Sequence, residues 1–378
     1  QRVTINTDTI AEGSLKLLEG FCPIDHTEAL NAMLAAQEVY YQAEDPTDED
    51  ATPIKLRNNR FTQLFESLTG MYGWPNYNEF DPTPILAPFF LLFFAMCMGD
   101  CGYGILLIII GLLIAKKKLN IAMFEGLGPI ITVLGVGTTV VGFFLGTFMG
   151  ISLADAAWVP DTLKSVMLTG EVMGYNIQMV LALCIGVFHI CLAMTVKAIC
   201  YTKQSGFKAN IATWGWLLLI VGGLAALIIS IVFSLPEAFT QWLLIAIGIV
   251  SALGIYIFNT PGRNPLINIG AGLWDTYNMA TGILGDVLSY IRLYALGLAG
   301  GMLGAAFNDL ALMVMGGSIE GATWQWLPFI LILLLGHVLN LAMSALGAFV
   351  HPLRLSFVEY FKNAGYEGKG TLYKPFKK

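Results

Sequence analysis

Apolar runs of membrane length recur along most of this chain. They fall at about 85–115, 127–150, 177–200, 211–233, 238–258, 275–315 and 327–361. A straight helix crosses the hydrocarbon core in ~20 residues. The first run is too long for one short span and too short for two full ones. A break at Gly99-Asp100-Cys101-Gly102 would make it a hairpin of two short helices. The last two runs are long enough to cross at a tilt and project beyond the bilayer. The pattern predicts an all-α polytopic membrane protein of about eight transmembrane helices. The first two form a short hairpin, and the last two are long and tilted. No internal repeat is evident.

Residues 1–82 read differently, as a small soluble segment and linker. HTEALNAMLAAQEVYYQAE has the periodicity of an amphipathic helix, and Pro46, Pro53, Pro75 and Pro82 punctuate the approach to the membrane. The expected organisation is a soluble segment over 1–82, a membrane domain over 83–365 and a basic cytoplasmic tail over 366–378.

Composition agrees. Hydrophobic residues make up 56% of the 378 and charged residues only 12%, about half the charged share of a soluble domain. The formal charge of -6 is segregated. Acids cluster at EDPTDED in the amino-terminal segment, and lysines close the chain. Nothing suggests nucleic-acid binding. Lys116, Lys117 and Lys118 follow the first run. Lys197, Lys203 and Lys208 separate the third and fourth. Arg354, Lys362, Lys369, Lys374, Lys377 and Lys378 mark the end. The alternate connections hold one lysine, Lys164, and no arginine. If the lysine-rich sides are cytoplasmic, both ends of the chain are cytoplasmic. A chain that begins at Gln1 with no signal peptide is expected to be the carboxyl-terminal part of a longer protein.

Two arginines sit inside the last two apolar runs, Arg292 in GDVLSYIRLYALGLAGGMLG and Arg354 in LNLAMSALGAFVHPLRLSFVEYF. A guanidinium keeps its proton in a protein. Placing one in a bilayer costs from ~3 kcal/mol on insertion scales to ~10 kcal/mol or more in simulations. Two such residues on adjacent spans point to ion or proton movement. His337, Asn340, Ser344, Gly347, His351 and Arg354 recur at helical spacing and share one face. That stripe is either the wall of an aqueous half-channel or an interhelical hydrogen-bond seam. Gly285, Ser289, Arg292, Ala295, Ala299 and Leu303 also share a side. Small neighbours there would let another helix, or a rotating surface, pass close to the guanidinium. The alternative is a structural arginine paired with Asp286 or a carbonyl. Asp286 lies six residues earlier, ~9 Å along the axis, a poor placement for a same-face pair.

Asp100 is a helix cap or a proton carrier. His189 is a packing element or an ion-path residue. Asp275, Asn278 and Asp286 could draw ions toward Arg292. The six cysteines read as small packing residues, with no disulfide framework or metal-ligand spacing. No phosphate-binding GxxxxGK[ST] loop, nucleophile elbow or HExxH motif is present. No nucleotide hydrolysis by this chain, no cofactor and no metal are therefore expected.

LEGFCPIDHTEAL, FFLLFFAMCMGDCGYGILL, GDVLSYIRLYALGLAGG and AFVHPLRLSFVEYF, with the lysine-rich tail, carry a resemblance that spans residue 18 to the end. The chain resembles the carboxyl-terminal membrane half of subunit a, also called subunit I, of vacuolar/archaeal-type rotary ATPases, in its bacterial or archaeal form. The resemblance implies that residues 1–82 hold the tail of a cytosolic head domain. It implies a stator beside a rotor ring of small helical membrane subunits, of c or K type, with peripheral- and central-stalk subunits and membrane lipids as further partners. Two offset half-channels would exchange protons or sodium ions with the ring carboxylates. The family's two buried arginines, which separate those pathways, match Arg292 and Arg354. The implied outer pathway takes His337, Asn340, Ser344 and His351, and the inner one Asp275, Asn278 and Asp286. Departures are Ser344 where some relatives carry glutamate, Asn278 where an acid is found, and Gly300 where eukaryotic forms carry histidine. They leave the relay and the coupling ion open. A secondary transporter for an anionic substrate, or a purely structural anchor, are the competing functions. Transporters usually show repeats and broken helices around a midplane site, whereas the last two helices here are expected to be long and unbroken.

Overall fold

The computed structural model describes residues 8–10, 15–17, 19–37, 39–47, 52–116, 126–156, 159–172, 174–234, 236–258, 265–316 and 323–374. Lys117, Lys118, Lys377, Lys378 and the acids at 48–50 lie outside the described residues. Eleven principal helices are numbered here in chain order: α1 (Thr27–Ala36), α2 (Arg60–Tyr72), α3 (Thr83–Met98), α4 (Cys101–Ala115), α5 (Gly128–Leu145), α6 (Ile177–Ser205), α7 (Lys208–Val232), α8 (Glu237–Ile257), α9 (Pro265–Ser289), α10 (Ile291–Val314) and α11 (Trp326–Ala364). Three two-stranded antiparallel hairpins complete the described secondary structure, with a helical turn at Asp161–Lys164 and short 3₁₀ turns. Six segments are long and apolar enough to cross a membrane: α5, α6, α7, α8, the joined α9–α10 and α11. α3 and α4 are shorter apolar helices.

The chain forms two compact units, one of Asn58–Tyr72 with Pro82–Tyr366 and one of Gln1–Arg57, Gly73–Asp81 and Glu367–Lys378. In the smaller unit the carboxyl-terminal residues are paired rather than loose. Ile54 N–H donates to Thr371 O and Tyr373 N–H to Ile54 O, at 2.9 and 2.8 Å. The Glu79 carboxylate accepts from Asn76 N and Glu367 N. α1 is shorter than its periodicity suggested. It buries no residue, and a helix without tertiary packing has little to extend it.

In the larger unit the break at Gly99 is real. Gly99 takes the left-handed conformation (φ 57°) that closes α3, and Asp100 then caps α4. α2, from the stretch read as soluble, packs onto α3. Phe65 is fully buried against Phe90, and the Thr69 and Thr83 hydroxyls meet at 3.0 Å. α4 and α5 pack with their backbones almost touching. A Cβ at Gly111 would lie 2.7 Å from Thr132 N, and one at Gly135 2.7 Å from Ile108 N. Small residues at such a contact allow the approach that packing in lipid requires.

One expectation is corrected. The penultimate run begins ten residues earlier than read and is interrupted at Tyr290, between α9 and α10. The interruption is a tightened turn. Tyr290 N–H donates to Val287 O and Leu293 N–H to Tyr290 O, both at 3.1 Å. The Tyr290 ring is fully buried, packed on Gly186 and bonded to His189, which fixes the turn in place. α11 in turn widens to a π-type turn over Leu355–Tyr360, just after Pro352. Proline lacks the N–H that would continue the ladder, and such wide turns accommodate the disturbance.

Candidate functional site

The polar stripe on α11 divides into two parts. Its first half joins a hydrogen-bonded network centred on Tyr103 of α4. Asn340 Nδ2 donates to the Tyr103 hydroxyl at 2.8 Å and to Gly300 O at 2.9 Å. The hydroxyl also meets His337 Nδ1 at 2.8 Å. Ser344 donates to Asn340 Oδ1 at 3.2 Å, and His337 Nε2 meets Asn308 Oδ1 of α10 at 3.0 Å. His337 and Asn340 are buried, and Ser344 is half-buried. The groups are mutually satisfied, as buried polar groups must be to avoid a desolvation penalty.

The network continues to Asp100. Asn308 Nδ2 donates to Met149 O at 2.9 Å, in the hairpin of 147–152. That hairpin is clamped by Asp100, whose carboxylate accepts from Gly102 N, Tyr103 N, Met149 N and Gly150 N at 2.8–3.2 Å. Four backbone donors leave this carboxylate committed to capping α4 and holding the hairpin. A cavity of about 270 Å³ opens beside it, lined by Gly99, Thr147 and Gly150 and by Tyr294, Gly297 and Gly301 of α10.

The two arginines lie beyond the network. Arg292 is half-buried in the first turn of α10, and its Nη1 is buried with no hydrogen-bond partner. Asp286 does not pair with it. Leu288, Ala295, Ala299 and Met302, which flank Arg292 at spacings of three and four, are exposed. Arg354 is exposed at the end of a similar stripe on α11 of Met343, Leu346 and Val350. His351 lies in the electrostatic field of both arginines, and its Nδ1 is buried without a partner.

A second polar cluster lies on the carboxyl-terminal side. Asp286 is 8% exposed, accepts from Asn363 Nδ2 at 2.8 Å and stands 3.6 Å from Lys362 Nζ. Glu359 is buried nearby, with Ser289 as a side-chain hydrogen-bonding neighbour and one oxygen, Oε2, unpartnered. Asp275 and Asn278 are exposed on α9, ~16 and ~12 Å along the axis from Asp286, so they are not part of this cluster. His189 makes no hydrogen bond to either polar cluster's carboxylates or to the Tyr103 network. It is 1% exposed, bonded to the Tyr290 hydroxyl at 2.9 Å and stacked on Tyr360 at 4.5 Å. That is the environment of a packing histidine. Among the described residues no group of three or more His, Cys, Asp or Glu could hold a metal ion.

A profile of the V-type ATPase 116 kDa subunit family matches residues 4–153 and 276–378. The chain belongs to this family. The match covers the α3–α5 bundle with the 147–152 hairpin and the α10–α11 pair, so every polar cluster above lies inside it. Among relatives, the chain is 33% identical to an A-type ATP synthase subunit I of Methanocaldococcus jannaschii, over 87% of this chain and 49% of that protein. It is 34% identical to that of Pyrococcus horikoshii, over 89% and 49%. It is 29% identical to a V-type ATP synthase subunit I of Borreliella burgdorferi, over 96% and 60%. The chain thus spans about half the length of the curated archaeal relatives it matches.

Reading the sequence missed Tyr103, Asn308 and Glu359. The signal for Glu359 was available: a lone acid inside a membrane-length apolar run carries the same cost that drew attention to the arginines. Tyr103 and Asn308 gave no such signal, because an amphipathic side chain in an apolar run is unremarked until its partner is known.

Proposed function

We propose that this chain is the membrane part of the stator of a rotary A/V-type ATPase, forming the two half-channels that exchange ions with the carboxylates of a rotor ring. One observation carries the reading. The Arg292 guanidinium is half-buried, Asp286 is paired with Lys362 instead of with it, and its helix side carries the exposed Leu288, Ala295, Ala299 and Met302. A permanent cation on such a surface is complementary to a passing carboxylate on another helix. It favours the ionised ring carboxylate, so the ion must leave before that site passes, and it repels cations that would leak directly between the pathways.

On this reading both chain ends are cytoplasmic, in a bacterial or archaeal plasma membrane. The Tyr103–His337–Asn340–Ser344 network lines the outer pathway. Asp286, with Asp275 and Asn278 further along α9, lines the inner one. Ring, stalk subunits and lipid would cover the exposed faces of α9–α11. ATP hydrolysis belongs to other subunits. The break at Tyr290 is a feature shared with secondary transporters. Its backbone groups are bonded within the turn, however, so it offers a substrate no unwound backbone.

The test is ATP-driven ion uptake by vesicles holding the full complex, comparing wild type with Arg292→Ala at equal assembly, with and without sodium and a protonophore. The reading expects uptake to be lost with the complex intact. Retained uptake contradicts it and favours a structural anchor.

A further inference from the structure

Glu359 is the one acid deep in α11, and it is almost fully buried at 2% exposure. It lies in the widened turn Leu355–Tyr360, five residues past Arg354, ~7.5 Å along the axis. Its Oε2 has no hydrogen-bond partner, and neither do the buried hydroxyls of Ser356 and Tyr360 in the same turn. An ionised carboxylate left this way bears the desolvation cost of a buried charge. The Ser289 hydroxyl cannot relieve that cost freely. Ser289 already donates to Gly285 O at 3.0 Å, and one hydroxyl proton cannot serve both that carbonyl and Glu359. A proton on Glu359 removes both conflicts: it neutralises the carboxyl and lets it donate.

The surroundings suit a group that gains and loses that proton. Asp286, Tyr290 and Arg354 all lie close enough to Glu359 to act on it electrostatically. Tyr360 follows it in the chain, stacked on His189 and in the field of Cys200. Asp286 is itself held by Lys362 and Asn363. Glu359 therefore lies between the arginine level and the Asp286 cluster.

We propose that Glu359 is the proton carrier of the inner pathway, standing between the ring carboxylate and Asp286. The inference rests on the stator reading above and adds the residue and the ion to it. In the pumping direction a proton from the cytoplasmic side binds a carboxylate oxygen of Glu359, forming its O–H bond. That bond then breaks as the ring carboxylate takes the proton. Synthesis runs the same steps in reverse, and no redox change is involved. Ser289 is a positioning residue that orients the carboxyl.

The experiment uses the reconstituted complex with Glu359→Gln, Glu359→Asp and Arg292→Ala in parallel. Glu359→Gln should lower ATP-driven proton uptake per assembled complex about tenfold or more, in line with loss of a proton-transfer group. Glu359→Asp should keep most uptake with a displaced pH profile, and infrared difference spectra should lose a protonated-carboxyl band only in Glu359→Gln. Full uptake and an unchanged pH profile in Glu359→Gln, with Arg292→Ala inactive, would overturn the carrier role and leave the stator reading standing. Uptake retained in Arg292→Ala would instead sink the stator reading itself. Uptake that needs sodium and survives a protonophore would overturn the choice of ion. If Glu359→Gln does not assemble, the Glu359→Asp pH profile decides: a displaced profile supports the role and an unchanged one overturns it.

Discussion

The α4–α5 pair and the arginine-bearing helices α9–α11 are both glycine-rich, yet only the second group leaves some glycines with open space beside them. In α4–α5, Gly104, Gly111, Gly128, Gly135 and Gly142 all meet backbone of the facing helix, and none has room for a Cβ. On the arginine-bearing side, Gly297, Gly304 and Gly336 also pack closely, against Met96, Gly150 and Phe307, but Gly285 of α9 and Gly301 of α10 meet nothing within 4 Å. Burial is lower in the arginine-bearing helices than in α5, and as low as in α7 and α8. Of the most apolar stretch, 39% is buried in α5, against 11% in α9–α10 and 17% in α11. The first pair closes tightly on itself. The second keeps its polar network inside and presents a bare apolar face with two arginines in it. A fixed scaffold beside an unfinished surface is what the proposed stator role needs.

Substitutions can break this contrast. The largest effect should come from Gly142→Leu, whose side chain would overlap the Asp100–Cys101 backbone. Overpacking costs ~1–3 kcal/mol or more, so little folded protein should survive detergent extraction, whereas Gly285→Ala should extract as wild type does. Next comes Asp100→Ala. It removes an N-cap worth ~0.5–2 kcal/mol and strands the Met149 and Gly150 amides. Thermal unfolding of the solubilised complex should shift down, while uptake per assembled complex is largely kept. A stable but inactive Asp100→Ala complex would contradict the capping role.

Smaller changes sharpen the comparison on the open side. Tyr103→Phe removes the hydroxyl shared by His337 and Asn340 and should lower uptake several-fold, by roughly 1 kcal/mol in effective terms, with assembly intact. Tyr290→Phe removes only the bond to His189. It should cost ~1 kcal/mol of stability and leave uptake unchanged; a loss of uptake would move His189 from packing into the ion path.

Much of the fold was legible because membrane spans declare themselves by length and composition, and the turn at Gly99-Asp100 was visible as the only polar break in its run. The break at Tyr290 was not. It depends on a tyrosine held by His189 and Gly186 from α6, far away in sequence. The α11 stripe was legible as a period, but the period could not show that His337, Asn340 and Ser344 are tied into one network while His351 and Arg354 are left out of it. Pairing requires the partner's position, and Tyr103 lies more than two hundred residues away.

The central claim is that the bare α10 face meets a rotor, and disulfide cross-linking in the assembled complex tests it most directly. Ala299→Cys would be paired with a cysteine beside the carboxylate of the ring helix, native cysteines being replaced. Ile109→Cys, exposed on α4, serves as the control. The account predicts a cross-link at Ala299→Cys that stops ATP turnover until reduced, and none at Ile109→Cys. A cross-link from Ile109→Cys but not from Ala299→Cys would contradict it.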